Sequence, residues 1–285
     1  MKKLIWIASY PKSGNTFLRA MLSSFFFSKN GHFEQKFLSN IPEFPRDFFE
    51  YKKNNDFFKE INLWADKQKE IVRNNQNFKI LKTHSANLTI NNSIYSINPL
   101  SSLCAIYIVR DPRNVILSLK NQYEIDTNAS LKFLLNKKNF LKLEKNNLSK
   151  GYVPILDWGN NYLSWKKQNF VETLFIKYED LVNKQKQTFY EILNFLNKFI
   201  NVRDIDNTYK INNVILTTKF KNLRRIEEKE GFIEKDIMGI SKNKNFFFNK
   251  GASQNFKKNL DTKIINKIEY EYKDLLKNLN YKDLE

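Results

Sequence analysis

Residues 10–17 read Tyr-Pro-Lys-Ser-Gly-Asn-Thr-Phe, a set of donor groups with one proline and one glycine between two apolar runs. A strand that turns sharply into a helix leaves the first N–H groups of the helix unpaired and converging on one spot. With the positive end of the helix dipole behind them, such donors favour an anion, above all a phosphate. Lys12, Ser13, Gly14, Asn15 and Thr16 therefore read as a phosphate cradle. Taken alone, the string serves equally well as an ordinary strand–helix loop with Ser13 or Thr16 as N-cap. It is not a Walker A loop, in which the lysine directly precedes the hydroxyl that binds Mg²⁺; here Lys12 precedes Gly14. Asp111 and Asp180 are the acidic residues near strand ends, and their contexts fit roles other than holding magnesium. A phosphate site is supported, and a metal–ATP site is not.

The stretch 107–123, YIVRDPRNVILSLKNQY, repeats the strand-to-helix pattern and places Arg110 where the strand ends. Open α/β sheets bind ligands at that end of their strands, and the planar fork of arginine matches phosphate oxygens. Ser118 lies eight residues on, about two helical turns along. The plainer reading, a strand-end Arg–Asp pair and a surface serine, loses ground once the first turn is considered. Two histidines occur, His32 and His84; His84 follows Lys82 and Thr83 at the end of an apolar run. By itself such a histidine is more often a hydrogen-bonded structural residue than a base. With one cysteine, Cys104, the chain forms no internal disulfide, and two histidines and one cysteine make a zinc site a poor fit.

These residues need a scaffold, and the sequence supplies one. Short apolar runs at Leu4–Ala8, Phe78–Leu81, Leu103–Val109 and Thr173–Tyr178 read as strands. Helical spacing follows over Thr16–Phe27, Pro112–Gln122 and Lys184–Phe199, and a closing helix is expected over about 261–278, with Ile264, Ile265, Ile268, Tyr272, Leu275 and Leu276 on one face. Strands alternating with helices predict an α/β fold, an open P-loop-like parallel sheet flanked by helices. No composition break divides the 285 residues, so one domain over 1–285 is expected. Residues 124–150 and 221–250 are Lys/Asn-rich and weakly periodic and read as mobile surface or lid segments. The aromatic-rich stretch 32–64 reads as core ahead of an acceptor pocket. The net charge of +18 would suit a polyanion, but the lysines are dispersed among glutamates rather than clustered with aromatics, so no nucleic-acid partner is expected. The lysine-containing N-terminus resembles a signal peptide, yet its apolar core is too short, and no run is long enough to span a bilayer. The protein reads as soluble and cytoplasmic.

Taken in order, these motifs resemble the sulfotransferase family that uses 3′-phosphoadenosine 5′-phosphosulfate (PAPS), the kind related to the cytosolic enzymes. The family's 5′-phosphosulfate loop is similar to Tyr10–Phe17, its 3′-phosphate segment to Arg110–Ser118, and its Lys-Thr-His triplet to Lys82-Thr83-His84. Its Tyr-Glu-Asp-Leu is matched by 178–181, its Thr-x-Phe near the adenine by Thr218-Lys219-Phe220, and the Lys-Gly of its Arg-Lys-Gly element by Lys250-Gly251. Together the matches span residues 5–258. Four departures stand out. Asn15 and Phe17 replace Thr and Trp, Asn249 stands in place of Arg, Gln254-Asn255-Phe256 replace Gly-Asp-Trp, and the family's C-terminal dimer signature is not kept.

The resemblance implies transfer of a sulfuryl group from PAPS to an acceptor hydroxyl on a small molecule or glycan, without a metal. It implies His84 as general base, Lys12 at the bridging oxygen, and Lys82 assisting the transferred group. Ser13, Gly14, Asn15, Thr16, Phe17, Arg110, Ser118, Tyr178, Thr218, Phe220, Lys250 and Gly251 would bind the donor. No dimer is carried over. The alternatives are a P-loop kinase or hydrolase using ATP and magnesium, and a basic nucleic-acid-binding protein.

Overall fold

The computed structural model describes residues 2–49, 57–75, 77–90, 94–145, 149–232, 246–248 and 255–281. In chain order the elements are β1 (Leu4–Ser9), α1 (Asn15–Phe27), α2 (Phe57–Asn74), β2 (Lys79–Thr83), the short strands β3 (Thr89–Ile90) and β4 (Ile94–Tyr95), and β5 (Ser102–Val109). There follow α3 (Pro112–Tyr123), α4 (Thr127–Leu135), the hairpin β6 (Phe140–Lys145) and β7 (Ser149–Pro154), α5 (Trp158–Lys166) and β8 (Thr173–Lys177). Helices α6 (Tyr178–Asn183), α7 (Gln185–Asn197), α8 (Thr208–Thr217) and α9 (Phe220–Glu230) come next, and shorter helices lie within 256–278.

The four apolar runs of the sequence form one parallel sheet in the order β2-β1-β5-β8. Its two central strands are apolar on both faces because both are covered. Leu4, Trp6 and Ala8 of β1 join Ala105, Tyr107 and Val109 of β5 in one core layer. Ile5 and Ile7 join Cys104, Ile106 and Ile108 in the other, under α1, α7 and α8. The open parallel sheet with flanking helices is the architecture that the alternating pattern predicts. The aromatics of the 32–64 stretch that lie deepest, Phe33, Phe44 and Trp64, are buried.

Three sequence expectations need correction. Residues 124–150, read as a weakly periodic surface or lid segment, carry regular structure where described: Asp126 caps α4 by accepting from the Ala129 N–H, and β6 and β7 pair antiparallel. Of the 221–250 segment, the residues up to 230 belong to α9, which buries Leu223 and Glu227, and 233–245, 249 and 250 lie outside the described residues. The closing helix is two helices, Thr262–Glu271 and Lys273–Asn278, broken at Tyr272. At the break the Tyr272 hydroxyl donates to the Leu134 carbonyl at 3.0 Å.

Candidate functional site

All the site residues of the first turn sit at the C-terminal end of β1. The chain leaves the strand through Tyr10 and Pro11 and enters left-handed backbone at Lys12 (φ 68°) and again at Gly14 (φ 98°). Gly14 is fixed twice over. L-residues rarely adopt that φ, and a Cβ there would overlap the Tyr178 ring. The turn is tied down by Asn15, whose amide donates to the Ile7 carbonyl (3.0 Å) and the Ser9 hydroxyl (3.2 Å). Helix α1 then starts without a side-chain cap. Inside the turn the Ser13 hydroxyl is fully buried and has no hydrogen-bond partner among the described residues. A buried polar atom left in that condition is costly unless a ligand meets it.

Lys12 projects from this turn. Its ammonium donates to Gln122 Oε1 at 2.9 Å and lies 4.4 Å from the centroid of the Phe247 ring. Its carbonyl accepts from Arg110 Nη1 at 3.0 Å. Arg110, buried at the end of β5, also stacks over the Tyr178 ring at 4.4 Å. Lys12, Gly14, Arg110 and Tyr178 are thus one packed cluster. Ser118 lies on α3 two turns beyond Arg110, partly exposed.

His84 follows the adjacent strand β2. Because Ala8 pairs with Thr83 in parallel register, the next residues on each chain, Ser9 and His84, meet. His84 Nδ1 lies 2.9 Å from the Ser9 carbonyl and 3.3 Å from the Ser9 hydroxyl. A carbonyl only accepts, so Nδ1 carries the hydrogen in that bond and Nε2 keeps its lone pair. Burial and the neighbouring Lys82 charge lower the imidazole pKa to about 4, with Lys12 adding to the effect, so the ring is neutral at physiological pH. Lys82 itself is buried, and its ammonium donates to Glu43 at 2.9 Å.

The remaining expected residues are spread around this centre. Phe17 is buried in the core layer beneath α1. Thr218 is fully buried at the end of α8, accepting from Gln185 and donating to the Val214 carbonyl. Phe220 opens α9 and meets Phe248 edge-on at 6.0 Å. Residues 246–248 are held against α9, where Glu227 accepts from the N–H groups of Phe247 and Phe248 and Arg224 donates to the Phe248 carbonyl. That clamp brings Phe247 onto Lys12. Lys250 and Gly251, and Asn249 before them, lie outside the described residues.

Asp111 and Asp180, the acidic residues weighed for a metal, are both engaged elsewhere. Asp111 caps α3 and holds the buried Arg113 guanidinium, and Asp180 pairs with Lys184 at 3.2 Å. Among the described residues no group of three or more His, Cys, Asp or Glu side chains is placed to hold a metal ion. Among the same residues no helix is long and apolar enough to cross a membrane.

Sequence reading missed Ser9, Gln122, Glu43 and Phe247 as members of this site. Ser9 carried a usable signal, since a parallel neighbour of the Lys-Thr-His strand must present a backbone group beside the histidine. Gln122 and Glu43 carried none, because each reaches the site only through the packing of its element.

The sulfotransferase domain family matches residues 2–280. Solved structures share the fold. Mouse sulfotransferase SULT7A1 complexed with PAP is 17% identical with a TM-score of 0.59, over 97% of this chain and 85% of that one. Retinol dehydratase in complex with androsterone and inactive cofactor PAP is 17% identical with a TM-score of 0.56, over 96% and 80%. A second retinol dehydratase structure, with retinol and PAP, is 16% identical with a TM-score of 0.58, over 97% and 82%. No curated protein sequence matches the chain. A family match over nearly all of the chain, on a sheet whose strand ends carry the buried turn, Arg110 and His84, gives the conclusion: this protein belongs to the sulfotransferase family.

Proposed function

We propose that the protein transfers a sulfuryl group from PAPS to the hydroxyl of a small-molecule or glycan acceptor, with His84 as general base. The observation that carries this reading is the bond from His84 Nδ1 to the Ser9 carbonyl, which leaves Nε2 as an acceptor beside the phosphate-type turn. The residues present fit the donor: a buried hydroxyl on Ser13 awaiting a partner, a glycine where a side chain would fill the cradle, and an uncapped helix start. Solved relatives of this fold hold PAP, and two of them hold androsterone or retinol.

The donor would supply a sulfuryl group already activated on a phosphate leaving group. The backbone of Ser13–Thr16 would hold its 5′-phosphate, and Lys12 would sit where charge grows on the bridging oxygen. Arg110 and Ser118 would take the 3′-phosphate, with Lys250 and Gly251 completing that side. Phe17, Tyr178, Thr218 and Phe220 would surround the adenosine, Phe17 only after its ring turns out of the core. His84 Nε2 would accept the proton of the acceptor hydroxyl as the new S–O bond forms. Lys82, whose ammonium Glu43 holds, would act on the transferred group through its field. The positive charge of Lys12 and Arg110, together with the α1 terminus, takes the place that a divalent ion has in kinases, so metal-independent transfer is part of the proposal.

The test is ligand-induced stabilisation in excess chelator. Adenosine 3′,5′-bisphosphate at about 100 times its Kd should stabilise the fold by ~2.7 kcal/mol. For a chain of this size that is a melting shift of roughly 5–10 °C, with a much smaller response to ADP. Equal shifts from ADP and the bisphosphate would overturn the donor assignment. In the same preparation His84→Ala should keep the bisphosphate shift and lose on the order of 10²–10⁴-fold in turnover; collapse of both together would remove His84 from the chemistry.

A further inference from the structure

Lys82, two residues before His84 on β2, belongs to a buried ionic cluster whose other members, Glu43, Arg46 and Asp47, have no chemical part in the proposed transfer. The segment Pro42–Asp47 runs along the end of β2: the Lys82 N–H donates to the Pro42 carbonyl at 2.9 Å and the Phe44 N–H to the Lys82 carbonyl at 2.8 Å. This pairing places Glu43 opposite Lys82. One carboxylate oxygen of Glu43 receives both the Lys82 ammonium at 2.9 Å and the Arg46 guanidinium at 2.8 Å. Glu43 and Lys82 are 6% and 3% exposed. The turn is closed from outside by Asp47, which accepts from the Glu43 N–H at 2.6 Å and from Arg46 at 2.9 Å.

A buried carboxylate is retained only with strong partners, and the lysine alone would leave a bare positive charge two residues from the imidazole. We infer that Glu43 is a positioning residue for this site: its carboxylate, clamped between Lys82 and Arg46, offsets the lysine's charge beside His84 and so raises the imidazole's affinity for a proton.

The groups that act on His84 come from several elements. Lys82 on β2 and Lys12 on the first turn disfavour its protonation, whereas Glu43 and the Ser9 carbonyl favour it. Burial works against ionisation of Glu43, but Lys82 and Arg46 outweigh it and hold the carboxyl below the usual carboxylate range. The anion is therefore present throughout the working pH range. On the α3 side, burial and then the Glu43 charge push the Tyr123 hydroxyl up to about 12, so Tyr123 stays neutral. Asn161 on α5 donates to the His84 backbone carbonyl at 3.1 Å.

The consequence for rate rests on His84 being the base; the charge balance itself does not. The decisive measurement is the ring titration of His84 by NMR in the full-length protein. The other histidine, His32, is exposed, and its signal is removed by His32→Gln. Lys82→Met should raise the His84 midpoint and Glu43→Gln should lower it, each by roughly half to one pH unit, a three- to tenfold change in proton affinity. A role confined to packing would not give shifts of opposite sign. Should Glu43→Gln not fold, the pair Lys82→Met and Lys82→Met/Glu43→Gln isolates the same term, with the double variant titrating below the single one. Midpoints that do not move, or move the same way, overturn the inference. If the midpoints move as stated while the acid limb of kcat/KM stays fixed, the charge balance stands and the assignment of His84 as base falls.

Discussion

Two corners of the same sheet, β1 into α1 and β5 into α3, share a topology and differ in how they end. At the second corner the helix start carries its own side-chain cap, although the buried Asn114 Oδ1 in the same turn has no hydrogen-bond partner among the described residues. Asp111 accepts from the Arg113 N–H, Pro112 occupies the first turn, and the Asp111 carboxylate is gripped by the Arg113 guanidinium, which also reaches Glu269 at 2.5 Å. The first corner has left-handed backbone at two positions, no side-chain cap and a buried hydroxyl without a partner among the described residues. A side-chain cap makes a helix terminus self-sufficient, and a terminus without one is the kind of place where an anion is favoured. Arg110 joins the two, since it belongs to the closed corner by sequence and bonds the Lys12 carbonyl of the open one.

The largest effect should come from breaking the closed corner. Arg113→Ala leaves the Asp111 carboxylate buried and unpaired, which costs on the order of 3–5 kcal/mol. At ~2–4 °C per kcal/mol for a chain of this size, the melting temperature should drop by roughly 6–20 °C. Urea denaturation measures the loss, and the folded fraction should still respond to the bisphosphate. Normal stability with lost nucleotide binding would reverse the roles given to the two corners.

Next in size is a change in the open corner. Lys12→Ala keeps a Cβ at the same positive φ, so the backbone strain is unaltered and stability should stay near that of the parent. Turnover should fall by about 10²–10³-fold, the range for losing one group that stabilises charge in the transition state. A matching drop in melting temperature would mean that the contacts of Lys12 with Gln122 and Phe247 hold the fold rather than the reactants.

The smallest effect separates the corners most sharply. Ser13→Ala deletes a buried hydroxyl that has no partner among the described residues, so the ligand-free protein should be unchanged or up to ~1 kcal/mol more stable. Bisphosphate affinity should weaken by on the order of 1 kcal/mol, about fivefold. Denaturation with and without ligand reads both numbers from one sample set, and a destabilised ligand-free protein would show that Ser13 serves the turn itself.

Much of this was legible before folding. The four apolar runs are the four strands of the sheet, Lys12 through Thr16 form the turn, and Arg110 stands at a strand end, because period, glycine placement and strand-to-helix punctuation are local properties. Local pattern failed where an anchor from elsewhere decides. Tyr272, at φ −114° and ψ 21°, interrupts a helix that its own periodicity would continue, and its hydroxyl bonds the Leu134 carbonyl far away in the chain. Residues 221–250 read as weakly periodic, and the part of them up to 230 is helical, with Leu223 and Glu227 buried.

By itself the sequence determined the chemistry on offer: a phosphate-type turn, an arginine at a strand end and a histidine at another, on an α/β scaffold. Only the tertiary structure decided which of these meet. The order β2-β1-β5-β8 places β1 between the strands that carry His84 and Arg110. The parallel register sets His84 against the Ser9 carbonyl, which selects the imidazole tautomer. Packing of the 42–47 segment on β2 sets Glu43 against Lys82. Strand order, register and the pairing of buried charges depend on residues far apart in the chain, and the free energy that chooses among them is burial and hydrogen bonding summed over the whole core.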